Sequence, residues 1–202
     1  MSSPLDLVGA HLRTHFVAAG IESEPEVASV TFLGVERIDV VRFGPDSRAG
    51  LEGAYHHVSL GCSRYPMTDS GAGVADPVRG PRAEIVLSLR GSTPTTGLAR
   101  SVAVLAATPA VDGVVLAPDA LIDLSGRLWT GAPFTAVLLG ESEVADLALD
   151  PPADPVRFLS AVPITPTEAA WVRLKGAEAM RQAWADDGVD VLDAGRRASS
   201  PG

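Results

Sequence analysis

The stretch Phe158-Leu159-Ser160-Ala161-Val162-Pro163-Ile164-Thr165-Pro166-Thr167-Glu168 carries a strand signal and a helix start in direct succession. The apolar run to Val162 reads as a strand, and Pro163, which has no amide donor, marks its end. Thr165 and Glu168 stand at the Ncap and N3 spacing of a capping box, and Pro166 falls at N1, where a missing N–H costs nothing. A strand therefore hands over to a helix at Thr165. That helix is expected from Pro166 to about Asp186, with Ala170, Leu174, Ala177, Met180 and Trp184 on one face.

Working back toward the N-terminus, Val156 to Val162 and Phe134 to Leu139 read as strands on either side of an acidic, proline-rich linker, Glu141 to Pro155. A shorter extended segment, Val114 to Leu116, precedes the turn-rich Gly126 to Pro133. The spacing predicts a helix over Thr96 to Thr108, with Leu98, Val102 and Leu105 inward. The clearest strand lies at Arg82 to Arg90. There Ala83, Ile85, Leu87 and Leu89 alternate with Arg82, Glu84, Ser88 and Arg90, so one buried and one polar face are expected. Before it, Arg64 to Pro81 is rich in Gly, Pro, Asp and Ser and reads as a long loop, preceded by a strand at Tyr55 to Cys62.

Val27 to Leu33 and Arg37 to Phe43 read as two strands joined by a turn at Gly34, and residues 4 to 19 as a helix with Leu5, Val8, Leu12 and Phe16 on one side. At the other end, Val189 to Leu192 reads as a short strand and Arg196 to Gly202 as a flexible tail after a single domain over residues 1–195. Strands and helices do not alternate regularly. The expected class is α+β, a mixed and largely antiparallel sheet flanked by helices.

A chain of 202 residues is long enough to bury about 70% of its unfolded surface. The formal charge of −9 and the single lysine, Lys175, argue against nucleic-acid binding, which needs clustered Lys and Arg. A basic partner protein or simple solubility fits this charge better. Apolar runs are broken before the ~18 residues that a membrane span needs, so no membrane role is expected. One cysteine, Cys62, and no positive segment ahead of an apolar core point to a cytoplasmic location.

The chemistry-bearing residues form no recognised catalytic set, and no cofactor or metal is expected. His11 and His15 share a helix face, but a metalloprotease motif would need Glu where Leu12 stands. His56 and His57 point to opposite strand faces, so one is expected to pack and the other to be solvated. Cys62 with His56 or His57 as its base is the enzymatic alternative, a hydrolase for example. Ser63 has no nucleophile elbow, because Tyr65 stands where Gly is needed. Gly91-Ser92-Thr93-Pro94-Thr95-Thr96-Gly97 looks like a phosphate cradle but lacks the Gly-Lys-Ser/Thr ending of a Walker loop, and reads as a flexible linker. Asp76, Glu84, Asp119 and Asp123 match no carboxylate pair or calcium loop and read as solvated or salt-bridged. Trp129 is expected to plug the core, and Trp171 and Trp184 to pack along one helix.

Gly61-Cys62-Ser63, Met67, Arg82-Ala83-Glu84-Ile85-Val86-Leu87, the stretch from Phe158 to Glu168, Gly176 and Asp193-x-x-Arg196-Arg197-x-Ser199 occur together and in order. In these the chain resembles the suppressor-of-fused domain family in its compact bacterial form, over roughly residues 25 to 199. It departs from the family at Cys62, where a leucine is usual. The resemblance implies a noncatalytic protein-binding module, and bacterial relatives are associated with immunity to secreted toxins. It also implies that Gly61 to Asp76 occupies the place where eukaryotic members hold a partner peptide, with Tyr65 and Asp76 near the contact positions. The second, partner-clamping half of the eukaryotic members has no counterpart in this sequence.

Overall fold

The computed structural model describes residues 3–32, 36–69, 71 and 76–199. Seven strands, β1 (Glu26–Val30), β2 (Ile38–Phe43), β3 (Ala54–Leu60), β4 (Arg82–Arg90), β5 (Leu121–Asp123), β6 (Ala136–Glu141) and β7 (Val156–Ile164), form one sheet in the order β1-β2-β3-β4-β7-β6-β5. Every neighbouring pair is antiparallel except β4 and β7, which run parallel from Arg82↔Val156 to Val86↔Ser160. The sheet is thus mixed and largely antiparallel. Helices α1 (Pro4–Ala18), α2 (Leu98–Asp112), α3 (Pro166–Lys175) and α4 (Ala177–Asp186) cover it.

Both faces of the sheet are buried. On one, Leu98, Val102 and Leu105 of α2 pack on Ile38, Val40, Ile85, Leu87 and Leu89. On the other, Val8, Leu12 and Phe16 of α1 pack on Val41, Phe43, Val58 and Val86. Further along that second face, Ala169, Val172, Met180 and Trp184 of α3 and α4 cover Ala136, Leu138 and Ile164. Helices on both sides explain the first departure from the sequence pattern: the expected polar face of β4 is covered too, and Arg82 and Glu84 are buried.

The helix after Thr165 begins as its sequence dictates. Thr165 Oγ1 accepts from the Glu168 amide at 3.3 Å and the Glu168 carboxylate accepts from the Thr165 amide at 2.9 Å. It does not run on to Asp186, because Gly176 breaks it with φ 91 and ψ 167. The break resets the phase. Ala170 and Leu174 face solvent, and Ala169 and Val172 take the inward positions.

Strand β7 also continues through Pro163 instead of stopping there. Pro163 lies beyond Ser160, the last β7 residue paired with β4, and its carbonyl accepts from Arg196 Nη2 at 2.7 Å. In a strand a residue's N–H and C=O point to the same side, so the missing donor removes no rung of the β6 ladder.

Three further expectations are corrected. Val114 to Leu116 forms no strand, and the edge strand is Leu121–Asp123 instead. Val189 to Leu192 forms no strand, although the Leu192 carbonyl does accept the Arg90 amide at the end of β4. The stretch from Arg196 is packed at least to Ser199, since Arg196 and Ser199 are both buried. The turn expected at Gly34, the end of the first strand at Leu33 and the last three residues lie outside the described residues.

Candidate functional site

Two buried carboxylates organise the molecule. Glu84 on β4 has no exposed surface and accepts from Ser59 Oγ at 2.5 Å, Ser63 Oγ at 2.6 Å, the Gly61 amide at 2.9 Å and the Ser63 amide at 3.0 Å. Burial pushes this carboxyl up and the four donors counter that push. Arg82, two residues earlier, donates from Nη1 to the carbonyls of Ser63 and Arg64 and from Nη2 to that of Val78. The Gly61-Cys62-Ser63 turn and the start of the following loop are therefore tied to the centre of the sheet.

The second carboxylate, Glu168, does the same for the C-terminal segment. It accepts from Arg196 Nη1 at 2.7 Å, Trp184 Nε1 at 2.9 Å and the Ser199 amide at 3.1 Å, besides the Thr165 amide. Burial raises its pKa, but Arg196, Thr165, Trp184 and Ser199 outweigh burial and hold it below the usual carboxylate range. Thr165 is thus more than a helix cap, because its partner also anchors α4 and the last described residues.

These ties leave one aromatic side chain standing out beside a groove. Tyr65, immediately after the 3₁₀ turn Cys62–Arg64, is 59% exposed, and its hydroxyl donates to Glu36 Oε1 at 3.1 Å. Glu36 also pairs with Arg64 Nε at 2.7 Å. Behind the Tyr65 ring lies a cleft of about 490 Å³ between this turn and the C-terminal half of α2, with Ile38, Cys62, Pro66, Met67, Ala107 and Pro109 among its walls. The loop has anchored ends: the Met67 amide donates to the Pro81 carbonyl at 2.7 Å, and the Gly80 amide to Asp154 Oδ2 at 2.5 Å. Asp76 is exposed, and its Oδ1 accepts from the Val78 and Arg79 amides. Those two donors hold it below its ordinary pKa.

The structure does not assemble Cys62, His56 and His57 into one site. Both histidines are buried, where one was expected to be solvated. His56 on β3 sits between Asp46 and Ser88, with Nε2 3.0 Å from Asp46 Oδ2 and Nδ1 2.8 Å from Ser88 Oγ. In acyl-transfer triads the carboxylate takes Nδ1 and the serine faces Nε2, the reverse of this order. Burial pushes Asp46 up, but Arg48 and His56 hold it well below the carboxylate range. Cys62 lies five positions beyond His57 along a largely extended chain that rises roughly 3.3 Å per residue. Burial, with Glu84 nearby, pushes its thiol well up, away from the thiolate that a nucleophile needs.

The remaining candidates pair locally. His11 Nε2 lies 2.7 Å from the Ala145 carbonyl with its ring stacked on Phe158, and His15 lies 3.8 Å from Glu143. Asp119 pairs with Arg181 and Asp123 with Arg173. Among the described residues no three His, Cys, Asp or Glu side chains stand close enough to hold a metal ion, and no helix is long and apolar enough to cross a membrane. Trp129 is buried against Phe134, and Trp171 and Trp184 fall on two helices instead of one.

The sequence pattern missed Glu84 and Glu168 as hubs. The only signals were an acidic residue inside the best strand and a capping box whose Glu could serve a second purpose.

Comparison with known proteins identifies the family and the fold. The family model described as suppressor of fused protein (SUFU) matches residues 34–197. No curated protein sequence matches the chain. Among solved structures, a suppressor of fused homologue from Neisseria gonorrhoeae superposes with a TM-score of 0.67 at 16% identity, covering 98% of this chain and 97% of that one. A chain of the Sufu–Fu complex gives 0.69 at 16% identity, covering 96% and 91%. Drosophila Suppressor of Fused gives 0.70 at 16% identity over 98% of this chain, which spans about half (51%) of that one. At these identities the superpositions speak for the fold.

Proposed function

The chain belongs to the suppressor of fused family, and from that premise we propose that it is a noncatalytic module that binds and occludes a partner protein in an immunity-type or regulatory role in the cytoplasm. The observation that carries this reading is Tyr65, an exposed aromatic ring beside a largely apolar cleft, on a turn held by Glu84. A rigidly mounted tyrosine offers contact area at low entropic cost, which suits it to anchor an interface. Asp76, whose Oδ1 is occupied by turn amides, would present its other oxygen to a basic group of the partner. The charge of −9 favours such a partner and steers its approach. A solved complex of Sufu with Fu shows that a protein of this fold takes a protein partner.

Titration of the partner against wild type, Tyr65→Ala and Asp76→Ala tests the assignment. Both variants should bind more weakly, by about tenfold or more for Tyr65→Ala, while melting within a degree or two of wild type, because neither side chain lies in the core. Wild-type affinity in both variants would move the binding surface elsewhere.

A further inference from the structure

Strand β1 is an outer edge of the sheet: it pairs with β2 on one side, and among the described residues nothing pairs with the other. All five of its residues are in register with β2, from Glu26↔Arg42 to Val30↔Ile38, with no bulge to twist the edge away. Four of the five are exposed, and Val27 keeps 58% of its surface. An uninterrupted, uncovered edge presents a row of free backbone donors and acceptors to another strand.

The opposite edge of the sheet is better protected. Strand β5 has only three residues, two of them half-buried, and Arg173 of α3 reaches across to pair with Asp123 at its end. Strand β1 carries no lysine, proline or bulge within its span, and its one charge, Glu26, is acidic.

The charge of the edge selects what can cover it. Glu22, Glu24 and Glu26 stand at alternate positions. Glu26 is answered by Arg42 at 2.8 Å, whereas Glu22 and Glu24 are exposed and form no ion pair among the described residues. A second copy of the chain would bring the same acids and the same net charge of −9, and like charges oppose it. A basic strand answers them. Glu26, Ala28 and Val30 share a sheet face with Arg42, Val40 and Ile38, and Val27 and Ser29 turn to the other face with Val41 and Asp39. On the first face Glu26 and Ala28 border a cavity of about 560 Å³ whose walls include Val40, Tyr55 and Leu89. The side chains of a strand added about 4.8 Å beyond β1 run along the mouth of this cavity. Lys or Arg can lay an apolar stem there and hold its charge near Glu24 and Glu26. On the second face Val27 is left for an apolar neighbour.

We propose that the free edge of β1 takes an extended segment of a partner protein as an added strand, with basic side chains on the Glu26 face and apolar ones beside Val27. Backbone hydrogen bonds hold the strand, and the acids select its charge. This surface is separate from the one assigned to Tyr65. No β1 residue lines the Tyr65 cleft, and β1 lies ahead of residues 34–197, which the family model matches.

The test is an NMR titration of the full chain with three blocked peptides: Lys-Val-Lys-Val-Lys-Val-Lys, its counterpart with Glu for every Lys, and its counterpart with Pro for every Val. The Lys-Val peptide should give saturable shifts centred on the amides of residues 26–30, unchanged in Tyr65→Ala, and bind about tenfold or more tighter than either counterpart. The Lys-Pro peptide has the same charge but too few amide donors to pair along an edge, so equal binding by it would reduce the effect to charge and overturn the proposal. Val27→Lys supplies the guard that the edge lacks. It should weaken the Lys-Val peptide by about tenfold or more while melting within a degree or two of wild type. Loss of binding in Tyr65→Ala would move the peptide to the Tyr65 cleft, and a concentration-dependent dimer abolished by Val27→Lys would give the edge to a second copy. Either result overturns the proposal, as do shifts that miss residues 26–30 or a Val27→Lys variant that binds like wild type.

Discussion

Arg196 and Glu168 form an ion pair at 2.7 Å with both side chains almost wholly out of water. Breaking such a pair from one side strands the other charge, so Arg196→Ala should cost about 3–5 kcal/mol. Thr165→Ala, which removes one cap oxygen, should cost about 1 kcal/mol. Paired urea melts check the order, and equal losses would contradict the role given to Arg196. The pair also has a pH signature. Because Glu168 titrates below its ordinary value when folded, its contribution is present above the usual carboxylate range and is lost as pH falls through the folded value.

His57 acts in a higher window. Folded it titrates at about 4, against an ordinary 6.5, so on acidification the unfolded chain takes up the proton first. Stability is unaffected above pH 6.5 and falls between 6.5 and 4, by up to about 3 kcal/mol. Urea midpoints measured across that range should slope less in His57→Phe than in wild type, and identical slopes would show that His57 is not buried neutral.

At the scale of elements, Gly176 decides whether the C-terminal region is one helix or two. Its φ of 91 and ψ of 167 suit glycine alone, and a Cβ there would meet nothing within 4 Å. Gly176→Ala should therefore cost about 1–3 kcal/mol through backbone strain with no steric clash, measurable by urea melt. A neutral or stabilising result would favour the continuous helix.

The same residue marks where periodicity misleads. The apolar positions from Ala170 to Trp184 fit one long helix well, yet the inward phase changes at Gly176. Strand β4, the start of α3 and the α2 face of Leu98, Val102 and Leu105 were legible because each follows from local pattern and capping. Strand β5 was not, since it has three residues and its pairing with β6 is set by tertiary contact. Pro163 looks like a stop in the sequence, because sequence does not reveal which side of β7 has no partner.

For the molecule as a whole, the family was legible in the sequence and the work done by its motif residues was not. Gly61 and Ser63 reach Glu84 only when β3 pairs with β4, and Arg196 and Ser199 reach Thr165 and Glu168 only when the C-terminal segment folds back onto the end of β7 and the start of α3. Both networks are largely buried, so the motifs explain the scaffold, and recognition is left to the exposed surface it carries. Tyr65 was singled out by resemblance; its exposure and the cleft behind it follow from burial that no local pattern encodes.

The most direct test of the account is retention of a partner by the tagged full chain in the cells that express it, compared with tagged Tyr65→Ala of equal melting temperature. The account predicts that wild type retains one protein in stoichiometric amount, that the purified pair re-forms in titration, and that Tyr65→Ala loses it. Equal retention by wild type and Tyr65→Ala would contradict it.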